Sequence, residues 1–72
     1  MKATELKTGQ NYKIGTGTYT YRGLLDEKKG MTKTNKLVFW LRENDENSPV
    51  IETLGIRVDL FNNEMAKNTI AI

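Results

Sequence analysis

The sequence predicts an all-β fold: a small barrel of about five strands with one short helical turn before the last strand. Residues 18–25 and 36–42 form two runs rich in β-branched and aromatic residues, as strands do. Turn residues separate the runs, with Gly15-Thr16-Gly17 on one side and the polar stretch 43–49 on the other. Helix formers after Asn62 suffice for only one turn.

The first predicted strand covers residues 10–14 and places Tyr12 and Ile14 on one face. In the second, residues 18–25, Gly23 predicts a bulge or a bend. The adjacent Leu24 and Leu25 also favour a bulge, since neighbouring side chains of a regular strand point to opposite faces. The lysine-rich residues 26–36 are expected to form a long polar loop.

Residues 36–42 give the strongest strand prediction. Its two faces hold Leu37, Phe39 and Leu41 on one side and Val38, Trp40 and Arg42 on the other. Because both faces are largely apolar, the strand is central or its second face is covered. Phe39, between two leucines on its face, is the better core candidate. Trp40 is therefore expected at a surface, in a second small core or at an interface.

The last third of the chain is expected to contain one long strand, one helical turn and a short final strand. The long strand covers residues 50–61, and Gly55 is expected to bend or split it because it exceeds the usual ~5–6 residues. The turn covers residues 62–68, with asparagine as its cap. Residues 69–72 close the chain as a strand.

This order of elements resembles a Src-homology-3-like small barrel, over most of the chain and in pattern only. The eukaryotic peptide-binding members carry an Ala-Leu-Tyr-Asp-Tyr-type segment and paired tryptophans, and this sequence has neither. Binding of proline-rich peptides is therefore not carried over. The structural alternative is a five-stranded oligonucleotide-binding barrel, which usually has a longer chain and a helix between its third and fourth strands.

Length and composition indicate one small domain, residues 1–72, that is soluble and cytoplasmic. Cysteine and histidine are absent, which excludes disulfides and an ordinary zinc site as stabilisers. A well-packed barrel, a dimer or both remain. No run approaches the ~20 apolar residues of a membrane span, and residues 1–8 lack the apolar region of a signal peptide.

Charge is divided unevenly along the chain. Residues 1–42 hold nine Lys or Arg against three acids, a balance of +6, and residues 43–72 hold two against six, a balance of −4. This asymmetry predicts a basic binding face. The alternative is that the two halves interleave in the fold and their charges cancel.

An enzyme is not expected, and neither is a cofactor or a metal. The commonest general base and the thiol nucleophile are missing with histidine and cysteine. The acidic pairs Asp26-Glu27 and Asp45-Glu46 are typical of solvated turns. Glu43, Asp45 and Asn47 occupy alternate positions, as the ligands of a calcium-binding loop do, but the glycine and the distal glutamate of such a loop are missing. Gly15-Thr16-Gly17 lacks the lysine and helix of a phosphate loop.

Nucleic-acid binding is the leading functional hypothesis, because lysines can neutralise phosphates and exposed aromatic rings can stack on bases. The candidate residues are Arg22, Lys28, Lys29, Lys33, Lys36, Arg42, Tyr19, Tyr21 and Trp40. The alternative for the tyrosines is a place in the core, and for the lysines the solubility of an exposed loop.

The competing hypothesis is a protein-binding accessory or inhibitor module, of the kind common in bacteriophages and mobile elements. Its anchor patch is Val38, Trp40 and Arg42 on one strand face, since tryptophan and arginine dominate interface energetics. The same patch could instead form a homodimer, which would help a small core to stay folded.

Overall fold

A computed structural model of the chain contains five antiparallel strands in one sheet. They are β1 (Asn11–Ile14), β2 (Gly17–Lys29), β3 (Thr32–Arg42), β4 (Val50–Arg57) and β5 (Thr69–Ala71), in the spatial order β4-β3-β2-β1-β5. The structure describes the backbone of residues 1–72 and every side chain except those of Glu27 and Lys29. The expectation of a mostly β chain with a short helical segment before the last strand is confirmed.

The sheet has two edges, β4 and β5. Closure into a barrel requires these two strands to pair, and the ladders of the structure join β1 to β2 and β5, β2 to β3, and β3 to β4. The architecture is therefore a five-stranded antiparallel sheet, and closure into the predicted barrel is not shown.

The helical segment, residues 58–68, begins earlier than predicted. It consists of a turn of α-helix, α1 (Val58–Leu60), a π-helical turn (Phe61–Met65) and a 3-10 turn (Ala66–Asn68). The prediction that the strand continues to residue 61 is wrong. Val58, Phe61 and Met65 are spaced three and four apart, so a helical path turns all three towards the core, as a strand cannot.

The predicted asparagine cap is also wrong. No side chain caps the helical segment at Arg57, where it begins. Asn62 instead accepts a hydrogen bond from the backbone N–H of Ala3 through its Oδ1, over 2.8 Å. This bond ties the N-terminal 3-10 turn, Ala3–Glu5, to the helical segment.

The lysine-rich stretch 26–36 is a paired hairpin, which corrects the prediction of a long loop. Pairing of β2 with β3 continues to Lys29 and Thr32, with only Gly30 and Met31 between them. Gly30 has a φ of +58° at the first central position, where type II′ hairpin turns place glycine. Gly30 therefore allows the pairing of β2 with β3 to continue beyond the apolar part of both strands.

The predicted bulge at Gly23 is confirmed. The β2–β3 register shifts between Tyr21 and Gly23, and Gly23 has a φ of +121°, a conformation that residues with a Cβ rarely adopt. The bulge reverses the alternation of β2, so that Leu24 shares a face with Tyr21 although the two are three residues apart.

The core lies between one face of the sheet, here called the inner face, and the helical segment. Its buried apolar residues are Tyr12, Ile14, Tyr21, Leu37, Phe39, Phe61 and Ala66. Phe39 is fully buried, with ring centroids 5.3 Å from Tyr21 and 6.0 Å from both Tyr19 and Phe61. The expectation that Phe39 belongs to the core is confirmed.

Candidate functional site

The opposite face of the sheet, here called the outer face, collects basic residues. Alternation along each strand places five of them there: Lys13, Arg22, Lys36, Arg42 and Arg57. Among the outer-face strand residues whose side chains are described, none is acidic. We call Arg22, Lys36, Arg57 and the neighbouring Trp40 the basic face.

Trp40 lies at the centre of the outer face on β3. Its cross-strand neighbours are Thr20 on β2 and Thr53 on β4. The side chain is partly buried, and the guanidinium carbon of Arg22 lies 4.1 Å from the ring centroid. This distance is that of a cation–π contact, typically worth about 0.5–1 kcal/mol at an exposed site. The prediction that Trp40 leaves the main core is confirmed.

Arg42, predicted for both binding hypotheses, is held by internal hydrogen bonds. Its Nε donates to Thr20 Oγ1 and its Nη1 to the backbone oxygen of Ser48, each over 2.8 Å. Thr20 Oγ1 in turn donates to Asn11 Oδ1. Arg42 therefore anchors the 43–49 turn to the sheet, and only part of its guanidinium remains for a ligand.

The two candidate tyrosines lie on the inner face, opposite Trp40. Tyr21 is only 6% exposed, and burial raises the pKa of its hydroxyl above the ordinary value. Tyr19 is partly buried and meets Phe39 edge-on. Their inclusion as base-stacking residues is corrected for Tyr21, whose ring faces are covered, and Tyr19 does not share a surface with Trp40.

The candidate lysines divide between the two faces of the hairpin. Lys36 lies on the outer face, directly opposite Arg57 of β4. Lys28 and Lys33 lie opposite each other on the inner side, further towards the hairpin tip. The side chain of Lys29 is outside the described part of the chain. Lys33 and Lys36 are three residues apart on β3, so alternation alone separates them, while Lys28 joins Lys33 because the Gly23 bulge reverses the alternation of β2 beyond Arg22.

Sequence reasoning missed Lys13 and Arg57 as members of the outer face. Arg57 makes an exposed ion pair with Asp59, with Nε 3.7 Å from Oδ1. The signal was present in β4, where Leu54 and Ile56 turn inward and so place Arg57 outward. Beside Arg57, an open cavity of about 300 Å³ separates the hairpin from the helical segment, with Lys33 and Asn35 on its other wall.

The acidic half of the chain meets the outer face at two places: Asp59 pairs with Arg57, and the 43–49 turn is hydrogen-bonded to Thr18 and Arg42. Glu43, Asp45 and Glu46 lie in the exposed 43–49 turn, which meets the sheet at its Arg42 end. Glu52 lies on the inner face, opposite Leu41. The basic half therefore supplies four of the five outer-face cations, and the acidic half adds Arg57 to them.

Comparison with known proteins adds no relative: no family model matches the chain, and no curated protein or solved structure does. Across the described residues, no helix has the length and apolar character needed to cross a membrane. The described side chains also include no group of three or more metal-ligating residues.

Proposed function

We propose that this chain is a small, non-enzymatic binding module that binds nucleic acid through its basic face. The observation that supports this most is the concentration of cations: five of them share one sheet face on which no described strand residue is acidic. Two of the five also have partners within the chain, since Arg57 pairs with Asp59 and Arg42 is hydrogen-bonded to Thr20 and Ser48. A polyanion that crosses this face meets several positive charges at once and releases its counterions. A net charge of only +2 hides this concentration of charge.

The cation–π pair of Arg22 and Trp40 gives the basic face a second means of recognition. An unpaired base can stack on the guanidinium of Arg22 or on the part of Trp40 that remains accessible, whereas in a duplex the Arg22 guanidinium can contact a phosphate instead. Lys36 and Arg57 are cross-strand neighbours on the hairpin side of this pair, and we expect them to contact phosphates there.

A charge-matched comparison tests this proposal. Binding of labelled DNA and RNA is measured by anisotropy while salt rises from about 50 to 200 mM. The double variant Arg22→Gln/Lys36→Gln is compared with Lys2→Gln/Lys67→Gln, which removes the same charge from exposed sites off the sheet. The first pair should reduce the slope of log affinity against log salt by about 1–2, and the control pair by much less.

Equal losses in the two double variants would show that net charge, and not the basic face, governs binding. No binding of DNA or RNA by the unaltered chain at the lowest salt would reject the proposal.

A second candidate is a protein-binding accessory or inhibitor module, of phage type. Its support is the Arg22–Trp40 pair beside Val38, because tryptophan and arginine are the commonest anchors of protein interfaces. Binding of this kind should depend weakly on salt and fail in Trp40→Leu. If the partner is a second copy of the chain, sedimentation should give twice the monomer mass at micromolar concentration.

The proposal extends to fold and compartment. The strand order, with a helical segment between β4 and β5, supports a Src-homology-3-like barrel as the parent architecture. The absence of cysteine supports a cytoplasmic location.

A further inference from the structure

The β2–β3 hairpin extends beyond the part of the sheet that the core covers. We call residues 25–36 of this hairpin the arm. Its described side chains are exposed except those of Thr34 and Lys36, which are partly buried. The molecule measures 40 Å along its longest axis and 23 and 17 Å across it. The arm is thus a two-stranded ribbon whose described side chains are mostly exposed.

In the half of the arm nearest its tip, every charged residue is a lysine. Residues 28–33 contain three lysines and no acid, while the acids Asp26 and Glu27 stand nearer the sheet. Lys28 and Lys33 occupy directly opposed positions of the ladder. Like charges directly opposite each other destabilise a strand pair, and an anion held between them relieves that repulsion.

The tip of the arm is apolar. Met31, in the second position of the turn, is 101% exposed, more than any other large apolar side chain among the described residues. A flexible thioether side chain adapts to irregular apolar surfaces. A basic ribbon that ends in a methionine thus combines contacts for phosphates with one contact for a base edge.

Resting on the proposed function, we propose that the ligand class is B-form duplex DNA and that the arm enters its major groove. Two strands lie about 4.8 Å apart, and the major groove is about 12 Å wide and 8.5 Å deep, enough to admit a two-stranded ribbon. Lys28 and Lys33 then contact phosphates at the groove wall. Met31 contacts base edges, of which the thymine methyl group is the apolar one.

The nature of the groove distinguishes this ligand from the other nucleic acids. The major groove of an RNA duplex is too deep and narrow for side chains to read, and a single strand has no groove. The unaltered chain should therefore bind duplex DNA at least tenfold more tightly than duplex RNA or single-stranded DNA of the same length and at the same salt.

Variants of the arm test the assignment. Lys28→Gln/Lys33→Gln should lower affinity for duplex DNA on the order of tenfold at moderate salt and should reduce the salt slope by about 1–2. The matched control is again Lys2→Gln/Lys67→Gln, which leaves the arm intact. Circular dichroism checks that each variant keeps its sheet.

The tip contact is tested by exchange of thymine for uracil throughout the duplex, which removes only methyl groups from the major groove. The unaltered chain should lose about fourfold in affinity, the worth of one buried methyl-sized group. Met31→Ala should bind the two duplexes equally, and Met31→Leu should keep most of the difference.

Each outcome separates the two proposals. If the arm variants bind like the unaltered chain while Arg22→Gln/Lys36→Gln binds weakly, the arm assignment is overturned and the basic face remains. Tighter binding of single strands or of duplex RNA overturns the groove assignment in the same way. If none of the three nucleic acids binds, both proposals fail.

Discussion

Leucine substitutions at two adjacent positions of β3 should change stability by different amounts, because one position lies on the inner face and the other on the outer face. Phe39 and Trp40 are neighbours in sequence, yet one is fully buried in the core and the other is partly buried on the outer face. Leucine keeps an apolar side chain at either position. The comparison of Phe39→Leu with Trp40→Leu therefore reports what each ring does beyond filling space.

The expected magnitudes follow from the contacts. Phe39 has three aromatic partners with centroids within 6.0 Å, and each such pair is worth about 0.5–1.5 kcal/mol beyond the area that it buries. The three pairs share the Phe39 ring, so their energies do not simply add. We expect Phe39→Leu to lower the free energy of unfolding by about 2–4 kcal/mol. Trp40 has one cation–π contact. Trp40→Leu removes this contact and part of the apolar area that the larger tryptophan side chain buries, so we expect the free energy of unfolding to fall by about 1–2 kcal/mol.

Urea denaturation followed by circular dichroism measures both changes, since the second variant lacks the only tryptophan. A chain of 72 residues is expected to have a total stability of about 4–11 kcal/mol, so both variants should remain measurable. A loss in Trp40→Leu equal to or larger than that in Phe39→Leu would refute this division of faces, and with it the use of Trp40 as a surface anchor.

Two further predictions concern backbone conformation and pH. Gly23→Ala should lower the free energy of unfolding by about 1–3 kcal/mol, because alanine at a φ of +121° is strained although the nearest atom to its Cβ is 3.8 Å away. Gly55→Ala, at an ordinary φ, is the control and should change stability by less than about 1 kcal/mol in urea denaturation. The raised pKa of Tyr21 means that the folded state holds its proton above about pH 10, where the unfolded state releases it. Stability should therefore fall as the pH rises above about 10, and less steeply in Tyr21→Phe. Equal slopes of the two proteins in urea denaturation at increasing pH would reject this contribution.

The sequence predicted the two faces of β3 because alternation is strong where a strand crosses the middle of a sheet. Leu37 and Phe39 are separated from Val38 and Trp40 by one-residue steps, and the structure keeps that separation. The sequence wrongly predicts a strand at residues 58–61, because the apolar residues Leu54, Ile56 and Val58 continue the two-residue period of β4. The helical spacing of Val58 with later residues appears only once the core is known.

The site was harder to predict than the fold. Lysines and threonines show no apolar alternation, so the sequence predicts a loop for the arm, whereas backbone hydrogen bonds and the Gly30 turn hold it as a ribbon. Parity alone would place Lys28 on the same face as Arg22. The bulge at Gly23 moves Lys28 to the other side, and its direction could not be derived from residue types.

The organisation of the sheet explains why the proposed binding surface lies on the outer face and the arm. A domain of this size needs one whole sheet face for its core, so a ligand surface must come from the other face or from an extension. β3 serves both, since Phe39 packs inward while Trp40 and Lys36 point outward. Cations gathered on the outer face repel one another and add nothing to the core. Under the proposed function, a bound polyanion would offset this repulsion, so ligand binding and folding would stabilise each other.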